Sequence, residues 1–385
     1  MKPSDILNEI FVKARIEYEK DQGKDFLTSL DEDVRNRIYL LVNKSTQHKG
    51  VITVLITSLV KKIDTPEQDI RFHKTGLQNG YSGRSYDTKF ITPFLKNNFP
   101  RIAMKESGWL TRSLEQLQPF TMDFRGRIRD QNVKNAFLVT MRDIEENKLN
   151  PKQFLVGLFI QLLKEKQKVQ TLISSIVYTN SNTFIEIQTI VNSLEEHFFS
   201  KEYHSHGASK LPVIAIHTIY EIMINEMSRF NNKKLLPLRS HLAADTKDRS
   251  TGDIEIVNNN NDFYEAVEIK HDIPIDLIML NDAYKKFRNY SLSRFYLLTT
   301  AEPYIDSDQK EQLKDKVDDI RNAHNCEVIL NGVLHSIRYY LRMLNSPEKF
   351  ISLYTENLKK DISESSEIKK EHLEKWNEIL KRFAE

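Results

Sequence analysis

The chain has 385 residues, 39% apolar and 29% charged, enough to bury a core and comfortable for two domains. With 56 Lys/Arg against 54 Asp/Glu the net charge is only +2, and the single cysteine, Cys326, excludes an intramolecular disulfide framework or a cysteine-based zinc cluster. The longest strongly apolar stretch, residues 154–163, is interrupted by Gly157 and Gln161 and is too short to span a bilayer, and the opening MKPSDILNEIF lacks the pattern of a signal peptide, so a cytoplasmic protein without membrane association is expected.

Taken in chain order, residues 5–20 and 29–43 carry apolar residues at helical spacing. Residues 50–63 (GVITVLITSLVKKI) fit a buried helix or a strand, because β-branched residues are enriched there. Residues 71–130 read as irregular, with turn signals at Gln78-Asn79-Gly80, Ser82-Gly83 and Asn98-Phe99-Pro100. That window holds eleven Lys/Arg against five Asp/Glu and five of the eleven glycines: Gly76, Gly80, Gly83, Gly108 and Gly126. A basic, glycine-punctuated stretch suggests backbone that approaches something anionic, although a solvated basic loop has the same composition. Helical periodicity returns over 132–146, 151–164 and 183–199. The polar segment 201–210 (KEYHSHGASK) marks the expected domain junction, dividing a mainly helical domain, 1–200, from a second domain, 201–385. His204 and His206 in that linker are more simply incidental than a metal set.

Beyond the junction the pattern changes to a helix over 212–230, strands near 235–242, 252–257 and 264–270, and a helix over 274–288. A strand at 294–300, a helix at 308–324, a strand at 327–330 and a helix at 333–344 follow. This α-β-β-β-α-β order, with an extra helix before the last strand and another after it, predicts an α/β layer fold on a mixed sheet. Residues 361–385 read as a charged amphipathic helix packed through Ile368, Leu373, Trp376, Ile379 and Leu380.

Chemistry concentrates on the strand pair 252–270. Successive strand residues point to opposite faces, so Val267 and Ile269 share one face of their strand while Glu268 and Lys270 share the other. On the preceding strand Ile254 and Ile256 face the core, which leaves Asp253 and Glu255 opposite. The run Asn258–Asn261 is a turn that lets the strands pair and brings Asp253, Glu268 and Lys270 to one end of the sheet. Paired carboxylates suit a hard divalent cation, and a neighbouring ammonium can orient a water or offset charge on a phosphodiester. Asp245 and Asp248, in the loop before Asp253, are alternatives to it; His241 more simply serves a local hydrogen bond. No phosphate-binding glycine loop, dinucleotide turn, HExxH helix or GxSxG elbow is present.

Gly252-Asp253, followed by Glu268-Ile269-Lys270, resembles the PD-(D/E)XK nuclease motif, and the surrounding element order resembles that superfamily's core. Glycine stands where proline is common. The resemblance implies Asp253 and Glu268 as metal ligands, the Ile269 carbonyl as a further ligand, and Lys270 as the catalytic lysine assisting the attacking water. It further implies Mg²⁺ as cofactor, with Mn²⁺ able to substitute, and a Glu from the preceding helix: Glu221, or alternatively Glu226. Two blocks, Gly80-Tyr81-Ser82-Gly83-Arg84 and Ser107-Gly108-Trp109-Leu110-Thr111-Arg112-Ser113, are similar to DNA-recognition segments of some type II restriction endonucleases. Arg84 and Arg112 suit phosphate or guanine, and Tyr81 and Trp109 offer stacking faces, core packing being the other reading of Trp109. Ser82, Lys89 and Thr111 complete the expected DNA-contacting set. The implied protein is a sequence-specific restriction endonuclease cutting double-stranded DNA as a homodimer, with a methyltransferase as genetic partner. A DNA repair or recombination nuclease, or a non-catalytic DNA-binding protein, are the alternatives.

Overall fold

The computed structural model describes residues 2–110, 114–178, 185–238 and 250–383, and the chain divides into two compact units. The first comprises the residues up to Ser174 together with Ser363–Ser366; the second runs from Ser175 to Ile362 and from Glu367 onward. The division falls some 25 residues before the expected junction. Its cause is the helix at 187–198, whose His197 packs on Tyr354 and Trp376 of the second unit.

The first unit is helical: α1 (Pro3–Asp21), α2 (Lys24–Thr28), α3 (Glu32–Asn43), α4 (Lys49–Asp64), α5 (Gly83–Tyr86), α6 (Thr92–Asn98), α7 (Gln131–Glu145) and α8 (Pro151–Ser175). The ambiguous stretch at 50–63 is α4, with every residue from Gly50 to Val60 buried. A helix apolar on all sides belongs at the centre of a core. Its hydroxyls find partners within the helix, Thr53 Oγ1 donating to the Lys49 carbonyl at 2.9 Å and Thr57 Oγ1 to that of Thr53 at 2.7 Å. Around it packs an aromatic group in which Phe11 stands edge-on to Phe94, Phe99 and Phe159 at 5.4–5.9 Å.

The window 71–130 is largely irregular, as its turn residues predict, and includes one π-helical turn at Asp87–Ile91 between α5 and α6. Close packing accounts for glycine at 83 and 108. A Cβ on Gly83 would sit 2.5 Å from the Trp109 ring, and one on Gly108 would meet Thr53 at 2.8 Å. Asp87, fully buried, ties the window together: its carboxylate accepts from Thr92 Oγ1 at 2.8 Å and from Ser107 Oγ and the Gly108 N–H at 2.7 Å each.

The second unit contains α9 (Ile187–Phe198), α10 (Lys210–Glu226), β1 (Lys233–Leu235), β2 (Ile254–Asn258), β3 (Phe263–Lys270), α11 (Leu277–Phe287), β4 (Arg294–Thr299), α12 (Lys310–His324), β5 (Glu327–Gly332), α13 (Val333–Leu341), α14 (Lys349–Glu364) and α15 (Lys370–Lys381). The expected tail helix is in fact the end of α14 and a separate α15; Ile368, Leu373, Trp376 and Ile379 are fully buried and Leu380 nearly so. The five strands form one mixed sheet in the order β1-β2-β3-β4-β5. The β1–β2 and β2–β3 pairs are antiparallel, and β3–β4 and β4–β5 are parallel, joined through α11 and α12 as parallel pairing requires.

Register assigns the two faces. Ile254 pairs with Val267 and Val267 with Tyr296, so these share a face with Glu265 and Ile269. Ala266, Phe295, Leu297 and Val328 lie on the opposite face, in one core with Leu280, Ala283 and Phe287 of α11 and Leu313 and Ile320 of α12. Both faces are covered, and the motif face is therefore packed as well as the apolar one. Among the described residues, no helix is long and apolar enough to cross a membrane.

Asp87 is the interaction in the first unit whose removal should be most visible. Asp87→Ala strands two hydroxyls and an N–H in the core and is expected to cost about 2–4 kcal/mol by urea denaturation, with Asp87→Asn, which retains an acceptor, costing less.

Candidate active site

The hairpin turn is built by Asn258, whose side-chain oxygen accepts from the N–H groups of Asn260 at 2.9 Å and Asp262 at 3.0 Å, while Asn261 takes the left-handed conformation at φ 63°. From that turn β2 runs back toward its beginning and β3 forward to its end, so Asp253 and Lys270 meet at the same end of the sheet. This is also the end at which the parallel strands β4 and β5 terminate, where open α/β sheets place their ligand sites.

Two contacts with the backbone of β3 position Asp253. Its N–H donates to the Val267 carbonyl at 2.8 Å, and its carboxylate accepts the Ile269 N–H at 2.8 Å. Just ahead of it, Glu255, only 3% exposed, folds back to accept from the Thr251 N–H at 2.6 Å and Thr251 Oγ1 at 3.0 Å. Gly252 lies so close to β3 that a Cβ would stand 2.7 Å from the Val267 carbonyl oxygen. That close approach is the physical reason for glycine at this position.

Glu268 is 6% exposed and holds two ammonium groups on one oxygen: Lys270 Nζ at 2.8 Å and Lys286 Nζ at 2.9 Å from Oε1. Burial alone would raise its pKa, but Lys270 and Lys286 outweigh that and hold it below the usual carboxylate value. Lys270 is half-buried, which by itself would lower its pKa, yet Glu268, aided by Asp253, holds it above the ordinary lysine value. Lys270 is therefore a cation at neutral pH in this arrangement. Lys286, one residue before the core residue Phe287 on α11, was not singled out in sequence. Nothing in a local pattern separates it from a solvated lysine, since it reaches Glu268 only through the chain's return after β3.

The acid expected from the preceding helix is not delivered. Glu221 of α10 is directed at α14, where Asn357 Nδ2 donates to it at 2.5 Å, and it lies 3.9 Å from His217 Nδ1. Glu226 accepts the Asn345 N–H at 2.9 Å. The reason is placement: α10 carries Tyr220 into the electrostatic neighbourhood of Glu265 and Tyr296, on the face opposite Glu268. His241, Asp245 and Asp248 lie outside the described residues, as does much of the strand expected at 235–242. Among the described residues no group of three or more His, Cys, Asp or Glu side chains is placed to hold a metal ion. What the sheet's end does bring together is two carboxylates, Asp253 and Glu268, which are oxygen donors of the kind hard divalent cations take. A carboxylate already drawing two ammonium groups is a local centre for positive charge.

In the first unit the two quoted blocks are brought together, with Gly83 against Trp109 and Asp87 bonded to Ser107 and Gly108. The expectation of stacking is corrected. Tyr81 is 8% exposed with its hydroxyl 3.3 Å from Ser58 Oγ, and Trp109 is 1% exposed, so both rings are core residues. Their burial follows from the turn at 80–83, which lays the chain against α4. Ser82 caps α5, accepting from the Ser85 N–H at 3.4 Å; Arg84 is exposed and paired with Glu115 at 3.2 Å; Lys89 is exposed, 5.1 Å from the centroid of the Phe90 ring. Thr111 and Arg112 lie outside the described residues. No protein-family model matches the chain, and no curated protein matches it in sequence.

The ion pairs give the site a defined pH window. The depressed Glu268 contributes stability that is present above its unfolded value, near 4.5, and is lost as pH falls through its lower folded value. The raised Lys270 contributes stability present below its unfolded value, near 10.5, and lost as pH rises through its higher folded value. Glu268→Gln is expected to cost about 1–2 kcal/mol at neutral pH, the lysines being partly solvated, and to flatten the acid limb of a stability-versus-pH curve. An unchanged acid limb would show that Glu268 is not the titrating partner.

Proposed function

We propose that the chain is a Mg²⁺-dependent endodeoxyribonuclease of the PD-(D/E)XK type, acting on double-stranded DNA as a restriction enzyme. The observation that carries this reading is the convergence of Asp253, Glu268 and Lys270 at one end of the sheet, with Asp253 bonded to the backbone of the strand that bears the other two. Asp253, Glu268 and the Ile269 carbonyl would hold Mg²⁺, or Mn²⁺ in its place. The bound ion lowers the pKa of water and neutralises charge on the phosphodiester.

The chain's own residues define the remaining chemistry. Lys270 enters as a proton-bearing cation and is suited to stabilise the developing phosphorane charge and to orient the attacking water. As a cation Lys270 cannot itself take a proton from that water; its role here is electrostatic and orienting, and the proton would pass to solvent. Lys286 then offers a second positive charge at the rim of the site, 47% exposed. Glu255 and Gly252 act as positioning residues for Asp253 and need touch neither DNA nor metal.

Restriction implies a symmetric dimer on a two-fold site and a methyltransferase protecting host DNA. One observation favours a second reading, a repair or recombination nuclease that reads DNA structure: the burial of Tyr81 and Trp109 withdraws two side chains expected to meet bases.

Incubation of supercoiled plasmid with the protein and Mg²⁺ tests both. Discrete fragments are expected from the wild type, with Lys270→Ala and Asp253→Ala slower by about 10²–10⁴-fold or inactive. Cleavage confined to branched or nicked substrates would select the repair reading. An absence of cutting with every divalent metal tried would sink the nuclease assignment.

A further inference from the structure

Residues 124–129 read Phe-Arg-Gly-Arg-Ile-Arg, and their burial alternates residue by residue: Phe124, Gly126 and Ile128 are buried, while Arg125, Arg127 and Arg129 are exposed. The segment belongs to no helix or strand and bends at Gly126 and Arg129, yet its apolar positions are turned to the core and its arginines to solvent. Both ends are pinned. Phe124 packs edge-on to Phe120 at 5.1 Å, and Phe120 in turn to Phe137 at 5.0 Å. The Arg125 N–H donates to Gln118 Oε1 at 2.9 Å, and Asp130 caps α7 by accepting from the Asn132 and Val133 N–H groups at 2.9 and 3.2 Å.

Three successive outward positions are thus exposed guanidinium groups, two residues apart in the chain. None of the three forms an ion pair among the described residues, and the neighbouring carboxylates are engaged elsewhere. Glu115 pairs with Arg84, Asp123 accepts the Thr121 hydroxyl, and Asp130 holds α7 and Lys44. The Thr121 hydroxyl, with a smaller part from Arg125, holds the Asp123 carboxyl below its usual value, and Lys134, its ammonium 5.9 Å from the Phe124 ring centroid, adds a fourth positive charge nearby. Side-by-side arginines repel one another, so a fixed row of them without internal acids is suited to a linear polyanion. Duplex DNA is such a partner, carrying one phosphate per about 3.4 Å of rise on each strand.

We propose that Arg125, Arg127 and Arg129 form a phosphate-gripping ladder that holds the sugar–phosphate backbone of double-stranded DNA without reading its bases. The proposal rests on reading the chain as a DNA-acting protein but requires no cleavage. It assigns the first unit's main nucleic-acid contact to a segment distinct from the two blocks around Arg84 and Trp109.

The test measures binding of the full chain to a fluorescent duplex in EDTA over a range of KCl concentrations. Each ladder contact should contribute about 0.9 to the slope of log K against log salt, so the triple Arg→Gln variant should lose about 2.7 from the slope, equally on unrelated duplexes. Circular dichroism and thermal melting establish that the variant is folded, and Arg127→Lys, which keeps the charge, should retain the wild-type slope. Wild-type binding with an unchanged slope and affinity in the triple variant would overturn the proposal. So would an absence of duplex binding by the wild type, or a ladder-dependent affinity for polyglutamate with none for DNA. The nuclease reading is separable: a chain that grips duplex through the ladder and never cuts would keep this proposal and lose that one.

Discussion

Everything distinctive about the second unit depends on one hydrogen bond, from the Ile269 N–H to the Asp253 carboxylate. It links the acid that opens β2 to the backbone between Glu268 and Lys270, and so converts three residues from two strands into one group. The bond exists only because β2 and β3 pair in a register that sets Ile254 opposite Val267. A slip by one residue would exchange the faces and bury Asp253's neighbours in the wrong core. Gly252 permits the approach and Glu255 braces the turn before it. The site is thus a property of strand pairing, with its side chains held from behind by backbone.

Around that pairing the electrostatics are arranged in opposition. Glu268 is buried enough to disfavour its charge and is kept charged by two lysines, while Lys270 is kept protonated by the same contact. Each charge of the pair is thus held by the other. Ion pairs of this half-buried kind stabilise little compared with apolar packing.

Much of this was legible in the sequence because it is local. Alternation on the two arms and the polar Asn258–Asn261 turn predict the hairpin and which residues share a face, and the helix and strand order downstream follows from periodicity. What was not legible depends on distant neighbours. Helical period places Glu221 on a polar side of α10, but its partner, Asn357, lies 136 residues later. Lys286 has an ordinary helical context and becomes part of the site only through the fold. Glycine composition suggested exposed backbone in the window 71–130, yet Gly83 and Gly108 are there to admit Trp109 and Thr53. Composition counts small residues and cannot say what fills the space beside them.

The turn built by Asn258 has a consequence for kinship. It stands at the end of the hairpin remote from the acids, so residues can be added to or removed from it while both arms keep their faces. Within an arm a single extra residue can be taken up as a bulge, as the register shift between Ile256 and Val257 already does. The separation between Asp253 and Glu268 is therefore a loosely held quantity, free to drift by descent while the geometry at the sheet's end stays fixed. The pairing at the sheet's end, and not the number of residues between the acids, is what this geometry requires.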